Sequence, residues 1–191
     1  MADRSNGYEE YAEDFLRARS PAIGPNAVLR WAARLQPRAS ILELGCGSGV
    51  PISRALMGAG FAVHGIDASP TLIAAFRRWC PGAVLECAAV EDSDFFQRRF
   101  DAVVAWGLLF LLAAETQRVV IGKAAQALES GGQLLFTAPK QVCEWNDAVT
   151  GLPSVSLGKD AYVREMAAHG LALAGHDEDE GQNYCYFGSK L

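Results

Sequence analysis

At 191 residues the chain has the length of one domain. Half of its residues are hydrophobic and a fifth are charged, the composition of an ordinary globular protein with a sizeable core; no low-complexity tract and no solenoid or propeller repeat appears. The formal charge is −5 and the 17 Lys and Arg are scattered, whereas a protein that grips a phosphate backbone presents a basic face, so nucleic acid is not an expected partner.

Taken in chain order, residues 1–20 read as an acidic amphipathic helix around Tyr8, Tyr11, Phe15 and Leu16, broken by Ser20, Pro21, Gly24 and Pro25. A second helix carries Val28, Leu29, Trp31, Ala32 and Leu35 on its apolar side and ends at Pro37. An alternation of strands and helices then begins. Ser40 to Leu44 is a short apolar strand stopped by Gly45, and Ile52 to Ala59 has helical spacing closed by Gly60. Phe61 to Ile66 is a second strand. Ser69 and Pro70 are an N-cap and first-turn proline for a helix over Thr71 to Trp79. Ala83 to Glu86 and Phe100 to Ala105 are a third and fourth strand. Ala114 to Leu128 is a long helix closed by Gly131 and Gly132, and Gln133 to Thr137 is a fifth strand ended by Pro139. Residues 140–158 read as a loop, Lys159 to His169 as a helix. Leu171 to Gly175 and Asn183 to Gly188 read as two strands joined by the acidic run Asp177 to Glu180, which is expected to be a solvated turn. The expected fold is α/β: a Rossmann-like, doubly wound, seven-stranded sheet, mostly parallel with the last strand antiparallel and helices on both faces.

The five cysteines are odd in number and contain no CxxC, so free thiols in a reducing compartment are expected. The acidic and basic residues between Asp3 and Asp14 are not those of a signal peptide. The longest apolar run, Ala102 to Ala114, is too short to span a bilayer. A cytoplasmic protein without a membrane partner follows, as monomer or homodimer. None of the three histidines has metal-ligand spacing, and no metal is expected.

The segment Ile41-Leu42-Glu43-Leu44-Gly45-Cys46-Gly47-Ser48-Gly49 lies between a strand and a helix, where glycines let the backbone touch a ligand without an intervening Cβ. Ligands of open α/β sheets bind beyond the carboxyl ends of the strands. A dinucleotide fingerprint needs a third glycine where this chain has Val50, which opposes a nicotinamide oxidoreductase. Asp67 ends the second strand, placed to accept hydrogen bonds from both hydroxyls of a ribose.

With HGIDASP after ILELGCGSG, then FDAVVAWGLLFLL and LESGGQLLFTAP, the order and spacing of motifs from Ser40 to Pro139 resemble those of the class I S-adenosylmethionine-dependent methyltransferases. The resemblance implies S-adenosylmethionine as cofactor and S-adenosylhomocysteine as product. It implies that Gly45, Gly47 and Gly49 approach the amino-acid end of the cofactor. Glu43 would orient that loop or receive the ammonium, Asp67 would hold the ribose, and Ala68 would lie against the adenine. Val90 and Glu91 would meet the adenine edge through backbone groups, Ala105 and Trp106 would sit near the reacting methyl, and Arg19 would reach the cofactor carboxylate.

Methyl transfer needs alignment more than acid–base chemistry, so no obligatory catalytic residue is expected. The acceptor would be a small molecule, walled by Tyr8 and Tyr11 of the N-terminal helix, by Phe110 with Trp106, and by Trp145 and Asp147. Residues 1–38 would form a helical lid, 39–139 the cofactor-binding core, and 140–191 the substrate loop and closing strands. A protein or RNA methyltransferase, or a non-catalytic S-adenosylmethionine-binding protein, stands as the alternative.

Overall fold

Strand residues that alternate between two apolar faces decide where the helices pack. The computed structural model describes residues 3–191. Its main sheet is formed by β1 (Ser40–Leu44), β2 (Ala62–Asp67), β3 (Val84–Cys87), β4 (Phe100–Ala105), β5 (Leu128–Thr137), β8 (Leu171–Glu178) and β9 (Tyr184–Lys190), in the order β3-β2-β1-β4-β5-β9-β8. The first five strands are parallel, and β9 runs antiparallel between β5 and β8. Ala102 and Val104 of β4, Leu135 of β5 and Cys185 and Phe187 of β9 turn to one face. There they bury the apolar sides of α2 (Pro25–Ala32) and α3 (Ile52–Gly58). Val103, Leu134, Phe136 and Tyr186 turn to the other, against α5 (Ala114–Ala127) and α6 (Lys159–Ala168). The helix α4 (Pro70–Trp79) starts as the sequence dictates, with the Ser69 hydroxyl accepting the Leu72 N–H at 3.1 Å. No helix among the described residues is long and apolar enough to cross a membrane.

Four local expectations are corrected. Residues 140–158 are not a loop: β6 (Val142–Asn146) and β7 (Pro153–Leu157) pair as an antiparallel hairpin, fastened to α5 where the Gln117 side-chain amide donates to the Val155 carbonyl at 2.9 Å. The strands hide in the sequence because the hairpin's buried positions include Ser154 and Ser156, so no apolar alternation marks them. Residues 1–20 are not one helix. Turns occupy residues 6–11, and the helix α1 is confined to Ala12–Ala18. Gly131 and Gly132 lie inside β5, which begins directly at the end of α5.

The acidic run is not a solvated turn either. Asp177 accepts the Arg30 guanidinium at 2.7 Å, and the buried Asp179 takes the N–H groups of Gly181 and Asn183. Glu180 takes the Gly24 N–H at 2.8 Å, which latches this turn onto the start of α2.

Candidate active site

The strand order reverses at β1 and β4, the crevice in which open α/β sheets bind ligands. A cavity of about 860 Å³, counted to its open mouth, lies beyond the strand ends there, within the range of small-molecule sites. The loop after β1 forms its floor. Gly45, Gly47 and Gly49 have φ of 67°, 53° and 77°, left-handed values that disfavour any residue with a Cβ. Gly47 and Gly49 do different jobs. A Cβ on Gly47 would meet only a Phe15 ring atom at 3.9 Å, so its backbone is open to a ligand. A Cβ on Gly49 would run into the Phe76 ring at 2.8 Å, so that glycine serves the packing of α4.

Asp67 ties the loop to the neighbouring strand. One carboxylate oxygen accepts the Gly47 N–H at 2.8 Å, the other the Ser69 N–H at 2.9 Å. Burial raises its pKa, and those two N–H groups oppose the rise. Each oxygen keeps a lone pair for a further donor. Glu43 is buried beneath the loop. Its environment pushes the pKa up to about 8 because desolvation outweighs the Ser53 hydroxyl bonded to it and the nearby Arg19. Arg19 also faces the cavity, half-buried. Desolvation holds its pKa below the ordinary value against the attraction of Tyr8, Glu43 and Asp179, and its guanidinium lies 5.4 Å from the Phe15 ring. Among the described residues it makes no ion pair within salt-bridge distance.

The cavity brings together Tyr8, Arg19, Glu43, Gly45, Gly47, Asp67, Ala68, Val90, Glu91 and Trp106. Gly49, Ala105, Tyr11, Phe110, Trp145 and Asp147 do not line it. Trp106 serves two surfaces, packing among the residues around α2 and α3 and lining the cavity. Phe110 and Trp145 pack on each other, ring centroids 5.4 Å apart, on the hairpin side. Asp147 holds the hairpin's turn through the N–H groups of Val149 and Thr150, and its other oxygen accepts the Tyr8 hydroxyl at 3.3 Å. Leu108, Leu111 and Leu112, from the apolar segment after β4, line the cavity without having been singled out in the sequence.

Residues 4–9 cross the mouth as a strap with four anchors. Arg4 pairs with Glu91 and Asp92, both at 2.9 Å. The Asn6 amide donates to the Leu111 carbonyl, and Tyr8 reaches Asp147. Glu9 accepts from the hydroxyls of Ser69 and Thr71 and from the Thr71 N–H, at the positive end of α4. Burial acts to raise the Glu9 pKa, but those three donors hold it below the ordinary carboxylate value. Arg4, Asn6 and Glu9 escaped the sequence reading. Each is an ordinary surface-type residue, and its partner lies 60 or more positions away. Residues 1 and 2 of the expected lid lie outside the described residues.

Residues 41–132 match the family model described as a methyltransferase domain. No curated protein matches the sequence. Among solved structures, the CcbJ methyltransferase from Streptomyces caelestis superposes with a TM-score of 0.75 at 16% identity, over 99% of this chain and 98% of that one. A 1,6-didemethyltoxoflavin-N1-methyltransferase from Burkholderia thailandensis, solved with its substrate and S-adenosylhomocysteine, gives 0.75 at 15% identity over 98% and 86%. CalS10, an amino pentose methyltransferase from Micromonospora echinaspora bound to S-adenosylmethionine, gives 0.69 at 18% over 94% and 95%. At these identities the likeness is one of fold.

Proposed function

We propose that this chain, whose residues 41–132 match a methyltransferase domain and whose fold is shared with methyltransferases solved with S-adenosylmethionine or S-adenosylhomocysteine, is a class I S-adenosylmethionine-dependent methyltransferase that methylates a small molecule by in-line displacement. The observation that carries this is the charge layout of one cavity: an open glycine backbone at Gly47, the Asp67 carboxylate beside it, and Arg19 opposite Glu43. That donor and acceptor set fits a ligand with a ribose diol, a carboxylate and an ammonium. Asp67 would hold the diol, Arg19 the carboxylate and Glu43 the ammonium, directly or through the loop.

When bound, the sulfonium supplies an electrophilic methyl group. The protein's own task is alignment, worth about 7–11 kcal/mol in favourable cases. Trp106 and Leu108 narrow the space beyond β4 in which an acceptor atom is aimed. Tyr8, fixed by Asp147, offers its oxygen as an acceptor for the substrate's N–H or O–H. Phe110 and Trp145 would wall the outer acceptor path from the hairpin side. The strap over the mouth favours a small acceptor over a protein or an RNA. Residues 3–19 thus act as cap, with α2 packed on the sheet, 39–139 as cofactor core, and 140–191 as hairpin and closing strands. The free state of all five cysteines supports a reducing location such as the cytoplasm; the protein acts as monomer or homodimer.

Calorimetric titration with S-adenosylmethionine, S-adenosylhomocysteine and NADH tests the reading. Micromolar binding of the two sulfur compounds and none of NADH is expected, followed by turnover in a panel of small amines and phenols. Tight NADH binding without a response to either sulfur compound would overturn it, and binding without turnover of any acceptor would favour a non-catalytic binder.

The strap has its own test. Glu9→Gln removes a charge from the first turn of α4, a position worth about 1–2 kcal/mol. The variant is expected to release S-adenosylhomocysteine about five- to thirtyfold faster in stopped flow. An unchanged release rate would mean that the strap is fixed decoration and not a lid.

A further inference from the structure

We propose that Lys123 is a positioning residue for the purine end of the cofactor, setting the Val90–Glu91 peptide so that its N–H is presented to the cavity. The inference rests on the cofactor reading above. Lys123 leaves α5 toward the loop after β3. Its ammonium donates to three carbonyls of that one loop: Val90 at 3.1 Å, Glu91 at 2.8 Å and Ser93 at 2.6 Å. These use all three of its donors. The side chain also passes over the Phe95 ring, 4.7 Å from the centroid. Glu86, Glu91, Asp92 and Asp94 all lie close enough to attract the charge, yet none pairs with it within salt-bridge distance. A half-buried cation committed to neutral carbonyls is a device for shaping backbone.

The shape follows from peptide planarity. The Val90 carbonyl and the Glu91 N–H belong to one trans unit and point in opposite directions. With the carbonyl drawn back to α5, the N–H is turned away from α5, and Val90 and Glu91 are the loop residues that line the cavity. The N–H groups of Asp92 and Ser93 return to the Ala89 carbonyl, at 3.0 and 3.1 Å, whereas those of Val90 and Glu91 make no such bond among the described residues. A cation on the carbonyl side polarises the peptide and strengthens the N–H as a donor. A flat heteroaromatic ring with an acceptor nitrogen in its plane is the ligand such a donor pair selects. Val90, buried beside them, supplies an apolar contact for the ring.

A tie that merely stabilises the loop would weaken every ligand equally, so the test is a comparison of ligands. Dissociation constants are measured for S-adenosylhomocysteine and for its 1-deaza and 3-deaza analogues, in which a C–H replaces one ring nitrogen. Wild type is expected to disfavour one analogue by about tenfold or more. Lys123→Met should weaken S-adenosylhomocysteine by a similar factor and erase that discrimination. Lys123→Arg should retain most of it, and Lys123→Gln, with fewer donors, should lose part while perturbing the fold least. Equal weakening of all three ligands, or no change, would overturn the proposal. Failure of the wild-type protein to bind S-adenosylhomocysteine at all would instead overturn the cofactor reading on which it stands.

Discussion

Asp67→Ala is expected to weaken S-adenosylmethionine binding by about a hundredfold or more. Two losses combine. The carboxylate's free lone pairs would be the acceptors for the ribose hydroxyls, and hydrogen bonds to a charged group contribute about 1.5–3 kcal/mol each. The same carboxylate pins the Gly47 N–H and the Ser69 N–H, so its removal also frees the glycine loop and the start of α4. Asp67→Asn separates the two effects. Its remaining carbonyl can keep one backbone N–H, while its amide presents a donor where the ribose also has a donor to place. Calorimetry on both variants, with thermal melts of the ligand-free proteins, checks the outcome. Loss of binding in both with small changes in melting temperature is expected. Wild-type affinity in Asp67→Ala would remove Asp67 from the cofactor site.

The second large effect concerns the proton on Glu43. Its pKa in the folded protein is pushed up to about 8 by burial, against an ordinary value of 4.5. The sign is that of a group that binds its proton more tightly when folded. The associated stability is fully present below pH 4.5 and is lost as pH rises through about 8. Glu43→Gln, which mimics the protonated form beside Ser53, should remove that fall, so that wild type loses stability relative to the variant between pH 5 and 8, by thermal melting.

Binding reverses the preference. An ammonium arriving over the loop favours the carboxylate, so S-adenosylmethionine binding at pH 7 should release most of the proton that a pKa of about 8 leaves bound. Calorimetry in two buffers of different ionisation enthalpy counts it, and Glu43→Gln should release none. No release from wild type would make Glu43 a neutral prop beneath the turn, with Ser53 its only service.

The cofactor core was legible because its signals are local. The glycine turn needs its left-handed backbone whatever surrounds it, and Asp67 follows directly from the end of a recognisable strand. Alternation along β4 and β5 announces two covered faces, and Ser69-Pro70 announces the start of a helix. A few adjacent residues encode each of these, because backbone sterics and side-chain periodicity act over that range. Where the acceptor side was concerned, little of this held. The hairpin of β6 and β7 buries serines, so its strands carry no apolar rhythm. The acidic run reads as solvated until its turn is seen gripping Gly24 and Arg30. Nothing near Glu9 foretells Ser69 and Thr71, and nothing near Lys123 foretells three carbonyls some 30 residues earlier. Those contacts exist only once the sheet has brought distant segments to one end. The sequence by itself therefore determined the fold class and the glycine turn after β1. The tertiary structure alone decided how the mouth is strapped, which glycine leaves its backbone open and which lysine ties the loop after β3, because polar side chains find their partners through space and leave no period along the chain.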